Sequence, residues 1–179
     1  GDYLVAANIG DNPQYISISG GTAFADLPGT PPKAKYLWTA GEFLCLGNIA
    51  SFPNRVQTSG IGDAGWWTVG QRGCDYQDFA DGGEIMGGIG AERGAIIAQR
   101  FKLRQMTIAT VGDYSFQTSV LSQTHGVLAP RTFVQYEPGA FFYLSKSGFC
   151  TGAEGTPIGA ERVNKWFFNL CDPALVERA

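Results

Sequence analysis

The chain has 179 residues with 16% charged and 44% hydrophobic side chains, and its 25 glycines are typical of a turn-rich β protein rather than a helical one. Its formal net charge is −3, and the basic residues are spread out apart from Arg100, Lys102 and Arg104. This distribution argues against a nucleic-acid-binding protein, because such proteins display a basic patch that neutralises phosphates. An average domain carries about 25% charged residues, so the low charge predicts a surface partly covered by partners.

A short segment recurs four times: a glycine, then one or two variable residues, then a run of apolar and aromatic side chains. The copies begin at Gly1, Gly41, Gly94 and Gly139, which are 40, 53 and 45 residues apart. This spacing is typical of the blade repeats of a β-propeller, and glycine is suited to the tight turn before each run because it adopts positive φ without strain.

Each glycine-led run is predicted to be a strand with further strands beside it. The flanking strands are predicted, in chain order, at residues 14–18, 34–39, 55–59, 85–89, 103–109, 131–136 and 148–151. The predicted unit is therefore strand, turn, apolar strand, loop, strand. The apolar strands are continuous rather than alternating, which predicts burial on both faces between neighbouring sheets.

Helical patterns are confined to the C-terminal part of the chain. A helix is predicted over residues 160–168, with Val163, Trp166 and Phe167 on one face. A second is predicted after Asp172, with Pro173 in its first turn, where the missing N–H costs nothing.

These elements predict an all-β fold: a β-propeller or part of one, with short C-terminal helical segments. The four blade-like repeats lie near residues 1–33, 34–84, 85–125 and 126–179. An ordinary β-sandwich with similar turn spacing is the alternative fold. The first copy lacks the strand that precedes the others, and the last residues run into a helix, so we expect the chain to be a fragment of a larger protein.

Residues that commonly carry catalysis are few. The single histidine, His125, is predicted to be a turn residue. The four cysteines lack the two- to four-residue spacing of a zinc site. We expect them to be buried free thiols, and the alternative is a disulfide bond between two blades. They are Cys45, Cys74, Cys150 and Cys171.

The richest polar segment spans residues 74–84. Its carboxylates fall at intervals of three, which does not match the alternate-residue spacing of a calcium loop. We predict a solvated loop in which Asp side chains stabilise turns. Two alternatives remain open: a cation site in this loop, and a glycosidase whose catalytic acids are Asp78 and Asp81. The sequence therefore predicts no enzyme, no cofactor and no metal site.

Aromatic residues supply the candidate site residues, which are Trp66, Trp67, Trp166 and Phe167. Tryptophan is enriched at the centres of protein interfaces, and exposed aromatic rings also stack on sugars. The alternative for all four is a place in the blade core. Trp66 and Trp67 are adjacent, and adjacent residues on a strand point to opposite faces.

Several motifs resemble the tail nozzle, or packaged-DNA stabilisation, proteins of short-tailed bacteriophages. The most specific are a Gly-x-x-Ala-Pro-Arg turn at residues 126–131 and a Leu-Ser-x-x-Gly-Phe corner at residues 144–149. Further similarity lies at residues 75–83, 100–106 and 157–159. Members of that family are considerably longer, which agrees with a fragment.

The resemblance implies a structural virion protein without catalytic residues. Such a protein assembles in the bacterial host cytoplasm as a homo-oligomeric ring, usually of six copies, and lies in the phage tail below the portal and adaptor. It contacts those proteins and the tail fibres and lets double-stranded DNA pass without specific binding. No membrane partner is predicted, since no apolar run approaches about 20 residues. The alternatives are a carbohydrate- or host-receptor-binding propeller and a propeller glycoside hydrolase.

Overall fold

The structure, a computed structural model, describes residues 2–111 and 114–176 as four antiparallel sheets, each made of strands consecutive in sequence. The first sheet has three strands: β1 (Tyr3–Ala6), β2 (Gln14–Ser17) and β3 (Ala25–Asp26). The second has four: β4 (Ala34–Ala40), β5 (Phe43–Ile49), β6 (Phe52–Thr58) and β7 (Tyr76–Asp78). The third comprises β8 (Ile85–Ala91), β9 (Gly94–Gln99), β10 (Leu103–Val111) and β11 (Tyr114–Ser122). The fourth comprises β12 (Val134–Glu137), β13 (Ala140–Ser145), β14 (Gly148–Thr151) and β15 (Thr156–Pro157).

The C-terminal region is helical, as predicted. A π-helical turn at Ala160–Asn164 leads into α1 (Lys165–Leu170), and α2 (Pro173–Val176) follows after Asp172. The strand predicted from residue 131 is wrong at its start, because Pro130–Thr132 form a 3₁₀ turn that the Thr132 hydroxyl closes by donating to the Ala129 carbonyl at 2.7 Å. The prediction also omitted the last strand of each sheet.

The sheets pack face to face in chain order. One core cluster joins the first and second sheets, a second joins the second and third, and a third joins the third and fourth. A last cluster covers the fourth sheet with α1 and α2, through Phe167, Phe168 and Val176. Among the described residues, none of these clusters contains residues of both the first and the fourth sheets.

Burial on both faces is confirmed for the glycine-led strand β5, every residue of which is buried. Leu44 and Leu46 pack towards the first sheet, whereas Phe43 and Cys45 pack towards the third. Strand β9 behaves in the same way between the second and fourth sheets. A continuous apolar run is required here because successive side chains enter different cores.

The same prediction is wrong for the first repeat. Strand β1 lies at the edge of its sheet, where it pairs only with β2 among the described residues, and Tyr3 and Leu4 are exposed. The pattern is the same as in β5, but within the described residues β1 pairs on one side only and Leu4 joins none of the core clusters.

Candidate interaction surfaces

The two adjacent tryptophans lie in the loop between β6 and β7 rather than on a strand. Trp67 is buried in the core between the first and second sheets, and its Nε1 donates to the Ala64 carbonyl at 2.8 Å. Trp66 is half-buried, and the Arg72 guanidinium lies 4.3 Å from its ring centroid. Arg72 also donates to the Asp63 carboxylate at 3.0 Å, so cation–π stacking and an ion pair fix this loop.

A cleft of about 380 Å³ opens beside this loop, between it and the first sheet. Tyr3 and Tyr15 form part of its wall as an edge-to-face pair with ring centroids 5.5 Å apart. Asp63 lies at the cleft and accepts from the Gly65 N–H at 3.0 Å. The cleft thus combines aromatic rings with a carboxylate held in place by its neighbours.

The C-terminal aromatic pair is divided between surface and core. Phe167 packs edge-to-face on Phe149 with ring centroids 5.0 Å apart and belongs to the core under the fourth sheet. Trp166 is exposed, so the alternative that places it in the core is wrong. Val163 and Leu170 are exposed beside it, three residues before and four residues after.

The segment at residues 74–84 is ordered by ion pairs and includes β7, which the loop prediction did not anticipate. Arg55 on β6 donates to both carboxylate oxygens of Asp78, at 2.7 and 2.8 Å. The guanidinium is also held between the rings of Phe52 and Tyr76, with each centroid 3.9 Å away. The sequence analysis did not detect this stack. Phe52 lies on the same strand as Arg55, but Tyr76 is 21 residues away and reaches it only through the pairing of β6 with β7.

Asp78 and Asp81, the two acids of the glycosidase alternative, do not have the character of a general acid. The hydrogen bonds from Arg55 hold the pKa of Asp78 below its usual range. The ammonium of Lys102, at 2.7 Å, lowers the pKa of Asp81, to which Arg104 also donates. A glycosidase acid needs the opposite shift, so this geometry favours structural ion pairs.

The four cysteines are free thiols. Burial raises the pKa of Cys45 to about 12 and that of Cys74 to about 11, which suppresses the reactive thiolate. His125 follows β11, and its Nδ1 lies 3.0 Å from the Thr124 hydroxyl and 3.4 Å from that of Ser122, an arrangement local to the turn.

Three acidic side chains line two adjacent grooves at one rim of the sheets, beside exposed Arg93. The hairpins β4–β5 and β8–β9 adjoin there, since the Gly41 N–H donates to the Ala91 carbonyl at 2.9 Å. Exposed Glu42 and Glu92 flank the groove between these hairpins, and Asp2 lines the next groove with Glu42. We call these three residues the acidic rim.

Within residues 2–111 and 114–176, no group of three or more His, Cys, Asp or Glu side chains is arranged to hold a metal ion. In the same part of the chain, no helix has the length and apolar character needed to cross a membrane. No protein-family model matches this chain, and no curated protein matches it.

Proposed function

We propose that this chain is part of a β-propeller with a structural role in a bacteriophage tail. Copies of the chain form a ring, of six in the family that the sequence resembles, which extends the DNA channel below the portal and adaptor. The observation that carries the proposal is the series of antiparallel sheets, consecutive in sequence and packed face to face. Radial repetition of four-stranded antiparallel sheets is the construction principle of a propeller.

The acidic rim supports passage of DNA without binding. Carboxylates that face a phosphate backbone repel it, and no counterions are released to favour adhesion. The three clustered basic residues all have partners within the fold. Arg100 pairs with Glu84 and Lys102 pairs with Asp81. Arg104 donates to Gln99 and to Asp81. These charges are therefore directed into the fold rather than towards a passing duplex.

Cryo-electron microscopy of the particle that carries this chain tests the proposal. We expect several copies around the tail axis, below the portal, with the acidic rim at the channel. Copies located away from the tail axis would contradict it.

The tyrosine cleft favours carbohydrate binding as a second candidate function. Aromatic rings that stack on sugar faces and a carboxylate that accepts from hydroxyl groups are the groups that such a ligand requires. On a glycan array, binding that is lost in Tyr15→Ala and kept in Tyr136→Ala, an exposed tyrosine on β12, would support this function. If the chain binds no glycan on the array, this second function is ruled out.

A further inference from the structure

The last strand of the third sheet is a long edge strand without the usual protection against pairing with another chain. Strand β11 has nine residues, and among the described residues it pairs only with β10. The last strands of the other sheets, β3, β7 and β15, have only two or three residues, and each contains an aspartate or a proline. Strand β11 contains no charged residue and no proline. Short length, charge and proline keep a sheet edge from pairing, and β11 has none of them.

The hydrogen-bond pattern of the third sheet shows which backbone groups of β11 point outward. The Ile108 N–H donates to the Arg93 carbonyl at 3.1 Å, so the backbone groups of Ile108 are directed towards β9 and away from β11. Phe116 lies opposite Ile108 on β11, so the two form a non-hydrogen-bonded pair and the Phe116 groups point to the free edge. Because this direction alternates along a strand, Thr118 and Val120 point to the same edge.

This edge is largely open in the described part of the chain. The Phe116 carbonyl accepts from Gln77 Nε2 at 3.2 Å, as its outward direction allows. Within residues 2–111 and 114–176, the outward N–H and carbonyl groups of Thr118 and Val120 make no hydrogen bond. Propeller closure covers sheet faces and leaves only short, protected edges, so it does not account for β11.

We propose that β11 of one copy pairs antiparallel with β11 of a second copy, with the two-fold axis at Thr118. Thr118 is the central one of the three outward residues, so in this register the two Thr118 residues exchange both backbone hydrogen bonds. Phe116 of each copy then pairs with Val120 of the other, and its carbonyl has a second lone pair for this bond. The third sheets of the two copies become one continuous eight-stranded sheet.

The strand itself argues for a second copy as the partner. A two-fold antiparallel pair is self-complementary, because each donor of one edge meets an acceptor of the identical edge. Exposed Gln117 of each copy lies across from exposed Ser119 of the other, and an amide and a hydroxyl can hydrogen-bond there. The nearest charged residue in the sequence, Asp113, precedes β11, and antiparallel pairing keeps the N-terminal ends of the two strands apart. A two-fold contact closes with two copies, so the inference goes beyond the proposed ring and does not depend on it.

A charge swap across the strand pair tests the inference. Gln117→Lys with Ser119→Lys places like charges opposite each other when both copies carry the change, and Gln117→Glu with Ser119→Glu does the same with negative charge. In sedimentation velocity, the wild-type chain should show a dimer fraction that rises with concentration, and each variant alone should be monomeric. An equimolar mixture of the two variants should recover the dimer, because lysine then faces glutamate in the same register. Gln135→Lys, on the exposed strand β12, is the control and should form the dimer as wild type does.

The inference fails if the wild-type chain stays monomeric, or if it forms a dimer that the mixture of variants does not recover. Circular dichroism checks that the variants fold, and hydrogen exchange of the wild-type chain provides a test without substitutions. The Thr118 and Val120 amides should exchange about tenfold more slowly, or slower still, where the dimer forms than where the chain is monomeric. Equal exchange at the two concentrations would also overturn the pairing. The proposed function is decided separately, by the position of the chain in the particle.

Discussion

Glycine has two different roles in this protein at the scale of single residues. Gly41 and Gly139 have φ values of 53° and 79° and occupy the hairpins before β5 and β13, as the turn pattern predicted. Gly88 and Gly90 on β8 instead allow the second and third sheets to approach closely. A Cβ atom at Gly88 would lie 2.2 Å from the Trp38 ring, and one at Gly90 would lie 1.7 Å from the Thr39 carbonyl oxygen.

Gly90→Ala should therefore destabilise the protein by about 1–3 kcal/mol, the usual cost of overpacking, or by more because the obstacle is backbone. Urea unfolding at pH 7 measures the change. Gly10→Ala is the control, since its Cβ would meet only the Asn8 side-chain oxygen at 3.2 Å. Equal stability of the two variants would contradict the close approach of the sheets.

The ion pair between Arg55 and Asp78 makes stability depend on acidity. The folded-state pKa of Asp78 lies below its ordinary value of 3.8, so the ion pair contributes stability above about pH 4 and loses it as the pH falls through the folded value. The Asp78 side chain is 41% exposed, which limits the contribution to about 0.5–1 kcal/mol.

Asp78→Asn should lower the free energy of unfolding by this amount at pH 7 and make little difference at pH 2. Urea unfolding at both values measures it, with Glu154→Gln, an exposed carboxylate change, as the control. A deficit of the same size at both pH values would show that the carboxylate charge is not responsible.

At the scale of elements, the same sequence pattern produces two environments. Strands β5 and β1 both begin soon after a glycine and are rich in apolar residues, but β5 has a strand on each side and a sheet on each face, whereas β1 is an exposed edge. Local stability depends on these neighbours, because an amide at a sheet edge opens without disrupting a core.

Hydrogen exchange should show this difference directly. We expect amides of β5 to exchange only with global unfolding, and those of β1 to exchange faster by orders of magnitude in dilute protein. Strand β9, another inner strand, is the internal reference and should resemble β5. Comparable protection of β1 and β5 at a concentration where the chain is monomeric would contradict the edge assignment.

At the scale of the whole molecule, the core is divided into clusters between successive sheets. Ile49 lies in the cluster between the first and second sheets, and Val127 in the cluster between the third and fourth. The two clusters share no residue, so substitutions in them should act independently.

Ile49→Val should cost about 1 kcal/mol, and Val127→Ala should cost about 2 kcal/mol. The double variant should lose the sum within about 0.5 kcal/mol, as measured by urea unfolding. The comparison is Leu103→Val combined with Val127→Ala, two substitutions within one cluster. For this pair we expect the loss of unfolding free energy to deviate from the sum of the single losses. A large deviation for the distant pair would indicate that the sheets do not pack as separate layers.

The sequence by itself determined the β class, the hairpin glycines, the inner strands and the two C-terminal helices. Each of these depends on local φ preferences or on a run of neighbouring side chains. Only the tertiary structure decided the last strands of the first, second and fourth sheets, since the two- or three-residue strands β3, β7 and β15 exist through pairing with a neighbour. The nine-residue strand β11 was also omitted from the sequence prediction, although it is not short. It also decided that Trp67 is buried and Trp166 exposed, and that Arg55 lies between two rings. Burial depends on which elements pack on a residue, and those elements come from distant parts of the chain.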